Sequence, residues 1–395
     1  MATSTVPYTA GAETAPRAPA ERLCSLDFFR GMTIIGMVIV NNPGNGKVAY
    51  APLRHAQWNG WTPTDLIFPF FVFIMGASMV FSLASRLRRG ESRRRIVLHV
   101  LRRGAILFAI GLFLNGYPAY PSEYHLSSLR LVGVMQRLAI CYVAASLITL
   151  WLGNRGRLAI ATTCLVGYWV LMRFVPVPGY GLPTRDVPLL DPAGNLSAWL
   201  DRAVYSAHMH GHPYDSEGLL STVPAIGTVL IGVLTGQWLR SQSVKESKPK
   251  WMLVFGILGL VSGEVCNIWF PINKKLWTSS YVLFHCGFAL VLLALCYWVL
   301  DVKQWRGRWT VPANVFGVNA ITAYILSELV GTGLEHWPVH LPDGSSTVFR
   351  DYAYEHWLLP IASAPNASLL YALLFLALCS AILWPLYRKH IYIKI

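Results

Sequence analysis

Residues 22–76 read RLCSLDFFRGMTIIGMVIVNNPGNGKVAYAPLRHAQWNGWTPTDLIFPFFVFIMG. Two long apolar runs, 26–41 and 65–85, stand on either side of a polar, Gly-rich loop. A helix needs about 20 apolar residues to cross the hydrocarbon core of a bilayer. The second run is long enough by itself, and the first reaches that length when it extends back through Asp27. This stretch therefore predicts a hairpin of two membrane-spanning helices, with its loop at one membrane edge.

The composition of the whole chain agrees with this hairpin. Of its 395 residues, 54% are hydrophobic and only 13% are charged, the mean hydropathy is +0.45 and the formal net charge is +14. Soluble domains carry about 25% charged residues, so a soluble, disordered or coiled-coil protein is excluded. The basic residues are diluted among long apolar runs, which predicts no nucleic-acid partner. Because those runs do not alternate, an outer-membrane barrel is disfavoured. The predicted fold class is all-α, a polytopic integral membrane helix bundle.

Apolar segments recur along the chain and predict about ten transmembrane helices. Their approximate bounds are 26–41, 65–85, 97–115, 133–152, 158–175, 219–239, 251–270, 279–300, 312–330 and 366–387. The stretch 353–362 leaves open an eleventh element, a half-helix. Residues 21–395 are expected to form a single transmembrane domain.

The distribution of basic residues predicts the orientation. With both termini in the cytoplasm, the cytoplasmic loops carry more than twice as many Lys and Arg residues as the exterior loops, as the positive-inside rule requires. Residues 1–20, rich in Ala, Thr, Pro and Ser, then form a disordered cytoplasmic tail. The exterior loops are the longer ones, and the longest covers about 176–218. We expect a multi-pass protein of the plasma (inner) membrane with its recognition chemistry facing outward.

The loop of the first hairpin holds a candidate catalytic pair. His55 and Asp65 flank the same turn at the outer membrane edge, and Asn41 closes the preceding helix. A His oriented by a carboxylate is suited to general-base chemistry near neutral pH. An Asn on the facing helix could donate a hydrogen bond to a developing oxyanion. The alternative is an ordinary surface histidine, because loops hold many such residues.

Polar side chains inside apolar spans are further candidates, because a central charge is costly in a bilayer. Glu264 and Asn319 lie in predicted spans and are candidate substrate-binding residues. Arg102 and Arg103 lie at the inner end of the third span, and their alternative role is to extend to the inner surface. The run His208–His212 resembles a metal cluster, yet it lacks Cys or acidic partners at ligand spacing. The sequence therefore predicts no metal site.

Motifs in order along nearly the whole chain resemble the transmembrane heparan-α-glucosaminide N-acetyltransferase family, including its bacterial members. The matching segments are SLDFFRGMTIIGMVIVNN (25–42), HAQWNGWTPTDLIFPFFVFIMG (55–76), LRRGAILFAIGLFLNG (101–116), LRLVGVMQRLAICY (129–142), YDSEGLLSTVPAIGTVLIGVLTG (214–236), FPINKKLWTSSYVLF (270–284), FGVNAITAYILSEL (316–329) and LYRKHIYIKI (386–395). The resemblance implies transfer of an acetyl group from cytosolic acetyl-CoA to the amine of a terminal glucosamine on the far side of the membrane.

The resemblance also implies roles for individual residues. The family's catalytic His, in its HxxWNG motif, falls on His55, and the family's Asn and Asp fall on Asn41 and Asp65. Trp58 and Asn59 of the same motif are expected to bind substrate. Acetyl-CoA is implied as a co-substrate, with no permanently bound cofactor, and the phosphates of CoA suit Arg102 and Arg103.

Three questions stay open at the level of sequence. His55 can act as a general base or carry the acetyl group as acetyl-imidazole. The acceptor is an amino sugar or glycan whose identity the residues do not specify, and a homodimer is possible. The alternative function is a transporter or flippase of a glycolipid or amino sugar, with Glu264, Arg137 and Asn319 along its pathway.

Overall fold

The computed structural model describes residues 23–117, 126–209 and 213–393. The tail at 1–20 lies outside these residues, so its predicted disorder stays a prediction. The α-helices, in chain order, are α1 (Cys24–Asn41), α2 (Pro63–Arg88), α3 (Arg93–Gly116), α4 (Val134–Trp151), α5 (Asn154–Phe174), α6 (Leu196–Tyr205), α7 (Thr222–Arg240), α8 (Ser247–Asn267), α9 (Ser279–Tyr297), α10 (Val311–Val318), α11 (Ala320–His336), α12 (Phe349–Tyr352) and α13 (Ala364–Arg388). One small antiparallel hairpin joins β1 (Pro338–His340) to β2 (Ser346–Val348).

The expectation of about ten spans is confirmed. Over the described ranges, nine helices are long and apolar enough to cross a membrane, and the count is ten if α10 and α11, which are bent by 78° at their junction, form one broken span. The sequence predicted one continuous helix over 312–330, but the structure has two helices there, α10 and α11, with a break at Asn319. The half-helix left open at 353–362 corresponds to the π-helical turn Ala353–Leu358, which directly follows α12. The protein is an all-helical, multi-pass membrane protein.

Helix α2 lies at the centre of the bundle. The most apolar 18-residue stretches of α2 and α7 are 72% and 67% buried, against 22–28% for α3, α5, α8 and α13. Small residues allow α2 and α7 to approach closely: a Cβ on Gly232 would stand 2.1 Å from the carbonyl oxygen of Phe73. Such backbone contact is how helices pack in lipid, where burial of apolar surface between helices supplies little free energy. The peripheral helices present their apolar faces outward.

The long loop between α5 and α7 packs back onto the first hairpin. The indole Nε1 of Trp58 donates to the carbonyl oxygen of Leu190 at 2.7 Å. Arg130, which precedes α4, pairs with Asp215 at 2.6 Å and with Glu217 at 2.8 Å. These contacts bring the segments before α2, α4 and α7 to the same end of the bundle.

Candidate active site

The start of α2 fixes the position of Asp65. Thr62 precedes the helix and forms a capping box with Asp65, and Pro63 occupies the first helical position, where its missing N–H is harmless. One carboxylate oxygen, Oδ2, accepts backbone N–H bonds from Ala56 and Thr62, both at 3.0 Å. Because these neighbouring backbone groups bind Oδ2, the other oxygen, Oδ1, is left to bind a side chain.

That second oxygen binds His55. Nδ1 of His55 lies 2.7 Å from Oδ1 of Asp65, and the side chains are 48% and 2% exposed respectively. Because a carboxylate can only accept, we assign the ring proton to Nδ1, and in this tautomer the lone pair lies on Nε2. The structure therefore brings together the two residues that the hairpin sequence paired, in the arrangement of a base and its orienting group.

The pair opens onto a cavity of about 220 Å³ at the end of the bundle where α1 ends and α2 begins. Its polar lining includes Asn41, His55, Asp65, Glu217 and Lys274. Its apolar lining is formed by Met37, Val40, Ile67, Phe68, Val134 and Trp277. A site with a mostly apolar wall and a few convergent polar groups is the usual form of a small-molecule pocket.

Asn41 lines this cavity from the last residue of α1. Its Nδ2 donates to Oε1 of Glu328 on α11 at 3.4 Å. Asn41 is exposed, and its helix α1 packs against α2. The structure thus brings all three residues of the predicted catalytic set to one cavity.

Trp58 and Asn59 have different positions. Trp58 lines the cavity, and its ring packs against Tyr214 with centroids 4.8 Å apart. The Asn59 side chain is not among the groups that line this cavity; its Oδ1 accepts a hydrogen bond from Asn273 at 3.1 Å. Asn59 therefore ties the first hairpin to the loop between α8 and α9.

The sequence reasoning missed the contribution of that loop. Nζ of Lys274 lies 3.1 Å from Nδ1 of His55 and 3.5 Å from Oδ1 of Asp65. Burial lowers the pKa of the Lys274 amine, and the Asp65 carboxylate opposes that effect. Lys274 lies within the motif FPINKKLWTSSYVLF, and its place in that motif is the signal in the sequence that could have found it.

Glu264 and Asn319, the two polar residues predicted to bind substrate from within spans, lie away from the cavity lining. Glu264, on the exposed face of α8, accepts a hydrogen bond from Asn267 at 3.2 Å. Asn319 is buried at the break between α10 and α11, where it binds the backbone of Ile391 at 2.9 Å and of Ile393 at 3.0 Å. The geometry gives Asn319 a structural role and offers no support for substrate binding by either residue.

Arg102 and Arg103 lie in the first half of α3, far along that helix from its end at Gly116. The guanidinium of Arg103 stands over the ring of Tyr142, 4.7 Å from its centroid, and the Arg102 side chain is exposed. At 1.5 Å per residue, about 20 Å of α3 separates them from the end at Gly116. Since α3 begins at Arg93, shortly after α2 ends at Arg88, these arginines lie toward the end of the bundle opposite to the start of α2 and His55.

The histidine run of the long loop is only partly described. Nδ1 of His208 lies 2.8 Å from the carbonyl oxygen of Leu129. His210 and His212 lie outside the described residues. Within the described ranges, no group of three His, Cys, Asp or Glu residues could hold a metal ion. The absence of a metal site stays a prediction.

Comparison with known proteins identifies the relatives of this chain. Residues 22–265 match the family described as "Heparan-alpha-glucosaminide N-acetyltransferase, catalytic". The chain is 30% identical to the heparan-alpha-glucosaminide N-acetyltransferase of Homo sapiens and 29% identical to that of Mus musculus, and the alignments cover 95% and 96% of this chain. It spans about 60% of the length of these relatives. The chain belongs to the heparan-α-glucosaminide N-acetyltransferase catalytic family.

Proposed function

We propose that this protein is a membrane-embedded acetyltransferase that moves an acetyl group from acetyl-CoA to the amine of an amino sugar or glycan. The observation that carries the proposal is the His55–Asp65 pair, 2.7 Å apart, on the wall of a cavity at the end of the bundle where α2 begins. Family membership supports the donor and the reaction class. The names of the mammalian relatives support a glucosamine-type acceptor.

The chemistry requires a neutral amine at the acceptor. An amine with a pKa near ~8 is mostly protonated at neutral pH. Nε2 of His55 accepts a proton as the amine nitrogen attacks the thioester carbonyl, and Asp65 stabilises the resulting imidazolium. Asn41 donates to the oxyanion of the tetrahedral intermediate, an interaction typically worth ~2.7–4 kcal/mol. When the carbon–sulfur bond breaks, the imidazolium returns the proton to the CoA thiolate.

A second route uses the same residues in two steps. Nε2 of His55 attacks the thioester and forms acetyl-imidazole with release of CoA, and the acceptor amine then attacks this intermediate. Isolation of an acetylated His55 after incubation with acetyl-CoA alone supports this route. Its absence under excess donor supports direct transfer.

The proposed orientation places the donor on the cytosolic side and the acceptor on the exterior side. The phosphates of CoA would stay at the basic inner face, where Arg102 and Arg103 are candidate contacts. The uncharged pantetheine arm would pass between helices α1, α2, α4 and α11. In support of this route, Met37 and Val134 line both the His55 cavity and a small apolar void among these four helices.

The test is acetyl transfer by purified protein from labelled acetyl-CoA to a panel of amino sugars. His55→Ala is expected to lower the rate by ~10²-fold or more, because it removes the group that accepts the amine proton. His336→Ala is the matched control, since this exposed histidine ends α11 away from the cavity lining, and its rate should equal that of the unmodified protein. An active, folded His55→Ala protein would overturn the proposal. Solute flux without CoA would favour a transporter instead.

A further inference from the structure

The loop that carries Lys274 is built as a tight, buried turn. Asn273 is fully buried, and its Oδ1 accepts the backbone N–H of Leu276 at 3.0 Å. Trp277 is 1% exposed and has φ +52°, a left-handed conformation that a bulky residue rarely adopts. Its indole donates to Thr228 at 3.1 Å. A backbone held in a sparsely populated conformation by so many contacts is typical of a segment that positions functional groups.

This turn sets the Lys274 ammonium beside the catalytic pair. The Lys274 side chain is 20% exposed, and its Nζ contacts both His55 and Asp65, as described above. Oδ1 of Asp65 therefore contacts both the imidazole of His55 and the ammonium of Lys274. The carboxylate is not dedicated to His55, unlike the two-membered pair that the sequence predicted.

The charges around His55 come from four segments. Asp65 belongs to α2, Lys274 and Lys275 to the buried turn, Glu217 to the segment before α7, and Arg54 precedes His55 in the chain. Nζ of Lys275 donates to the carbonyl oxygen of Gln57 at 2.7 Å, and Arg54 donates to the carbonyl oxygen of Lys47 at 3.4 Å. Glu217 is paired with Arg130. Of the charged side chains that the structure describes, Asp65 and Lys274 are thus the two in direct contact with the imidazole, and they oppose each other.

A carboxylate beside a histidine favours the protonated imidazolium, and a cation beside it favours the neutral ring. With Asp65 alone, His55 would be protonated more readily and would then be unable to accept a proton from an amine. We propose that Lys274 is a positioning residue that shares the Asp65 carboxylate with His55 and thereby opposes protonation of the His55 ring. The inference rests on the proposed function only in that the neutral ring is the form that acetyl transfer uses.

The experiment measures the protonation of His55 without any donor or acceptor. Diethylpyrocarbonate modifies neutral imidazole, so the rate of carbethoxylation of the His55 peptide against pH, followed by mass spectrometry, gives the midpoint of its titration. In Lys274→Met the midpoint should move up by about one pH unit. Lys274→Arg keeps the cation and should retain the original midpoint. Lys275→Met removes a neighbouring ammonium that does not contact the pair, and it should leave the midpoint in place.

A midpoint that is unchanged or lower in Lys274→Met overturns the inference. Lys274→Gln provides the same test should the Met variant fail to fold, since its amide keeps a polar group in the turn. The measurement is independent of catalysis. A shifted midpoint in a protein that transfers no acetyl group would therefore refute the proposed function and leave this inference standing.

Discussion

At the scale of single residues, two buried carboxylates, Asp65 in the site and Asp201 outside the cavity lining, have very different surroundings. Asp65 is buried yet accepts two backbone N–H bonds, a threonine hydroxyl and the His55 ring. Asp201 on α6 is equally buried, but its partners are the backbone N–H groups of Leu219 at 2.9 Å and Asp215 at 3.4 Å. Among the described residues Asp201 forms no salt bridge; burial raises its pKa from 3.8 to about 6, and these N–H groups only partly oppose the effect.

This raised pKa predicts a pH-dependent stability. Folded Asp201 holds its proton up to about pH 6, whereas the unfolded side chain loses its proton near 3.8. Between these values the folded state binds more protons, so the stabilisation is complete below the unfolded pKa and is lost as the pH rises through the folded pKa. Asp201→Asn, which cannot ionise, should raise the melting temperature at pH 8 and flatten its dependence on pH between 4 and 7. Thermal melting across that range measures this, and an Asn variant that follows the wild-type curve would contradict it.

At the scale of elements, the membrane helices could be predicted from the sequence because a bilayer demands long apolar runs, and such runs are visible in one dimension. The break at Asn319 could not, because the surrounding 312–330 stretch remains apolar across the bend. At this break Asn319 binds the backbone of residues 391–393, which lie more than seventy positions away in the chain. The surroundings of Glu264 and Asn319 could not be predicted either, because a polar residue in an apolar span does not reveal which way its side chain faces.

The contact between α2 and α7 leads to a prediction at this scale. Gly232→Ala places a Cβ 2.1 Å from the Phe73 carbonyl oxygen, and the two backbones must separate to admit it. Overpacking of this kind typically costs about 1–3 kcal/mol. Gly167→Ala on α5 is the matched control, since a Cβ there meets no heavy atom within 4 Å. We expect a clear drop in the melting temperature for Gly232→Ala alone. Equal melting temperatures for the two variants would refute the close-packing argument.

At the scale of the whole molecule, the cavity is assembled from distant segments. The first hairpin supplies His55, the strained turn after α8 supplies Lys274, and the segment before α7 supplies Glu217. The sequence could predict the first contribution, because ten residues separate His55 from Asp65 and a motif marks them both. It could not predict the others, since 219 residues separate Lys274 from His55 and only the packing of the helices brings them together.

The proposed orientation is tested on intact cells. Pro342→Cys lies in the exposed hairpin between β1 and β2, on the side proposed to be exterior, and Ser243→Cys lies in the exposed loop between α7 and α8. A membrane-impermeant maleimide should label Pro342→Cys above the background of the unmodified protein and should label Ser243→Cys only after the cells are permeabilised. The reverse pattern would place both termini outside and would invert the proposed direction of acetyl transfer.

The hydrogen bonds between Asn319 and the backbone of Ile391 and Ile393 also have a consequence for biosynthesis. The amide at the elbow between α10 and α11 is buried, and its backbone partners begin 72 residues further along the chain. During translation α11, the β-hairpin and all of α13 must be made before those partners exist. Until then the Asn319 amide lacks these backbone partners, so we expect the 78° bend between α10 and α11 to reach its final form late in assembly. Substitutions at Asn319 are expected to reduce the yield of folded protein before they alter catalysis.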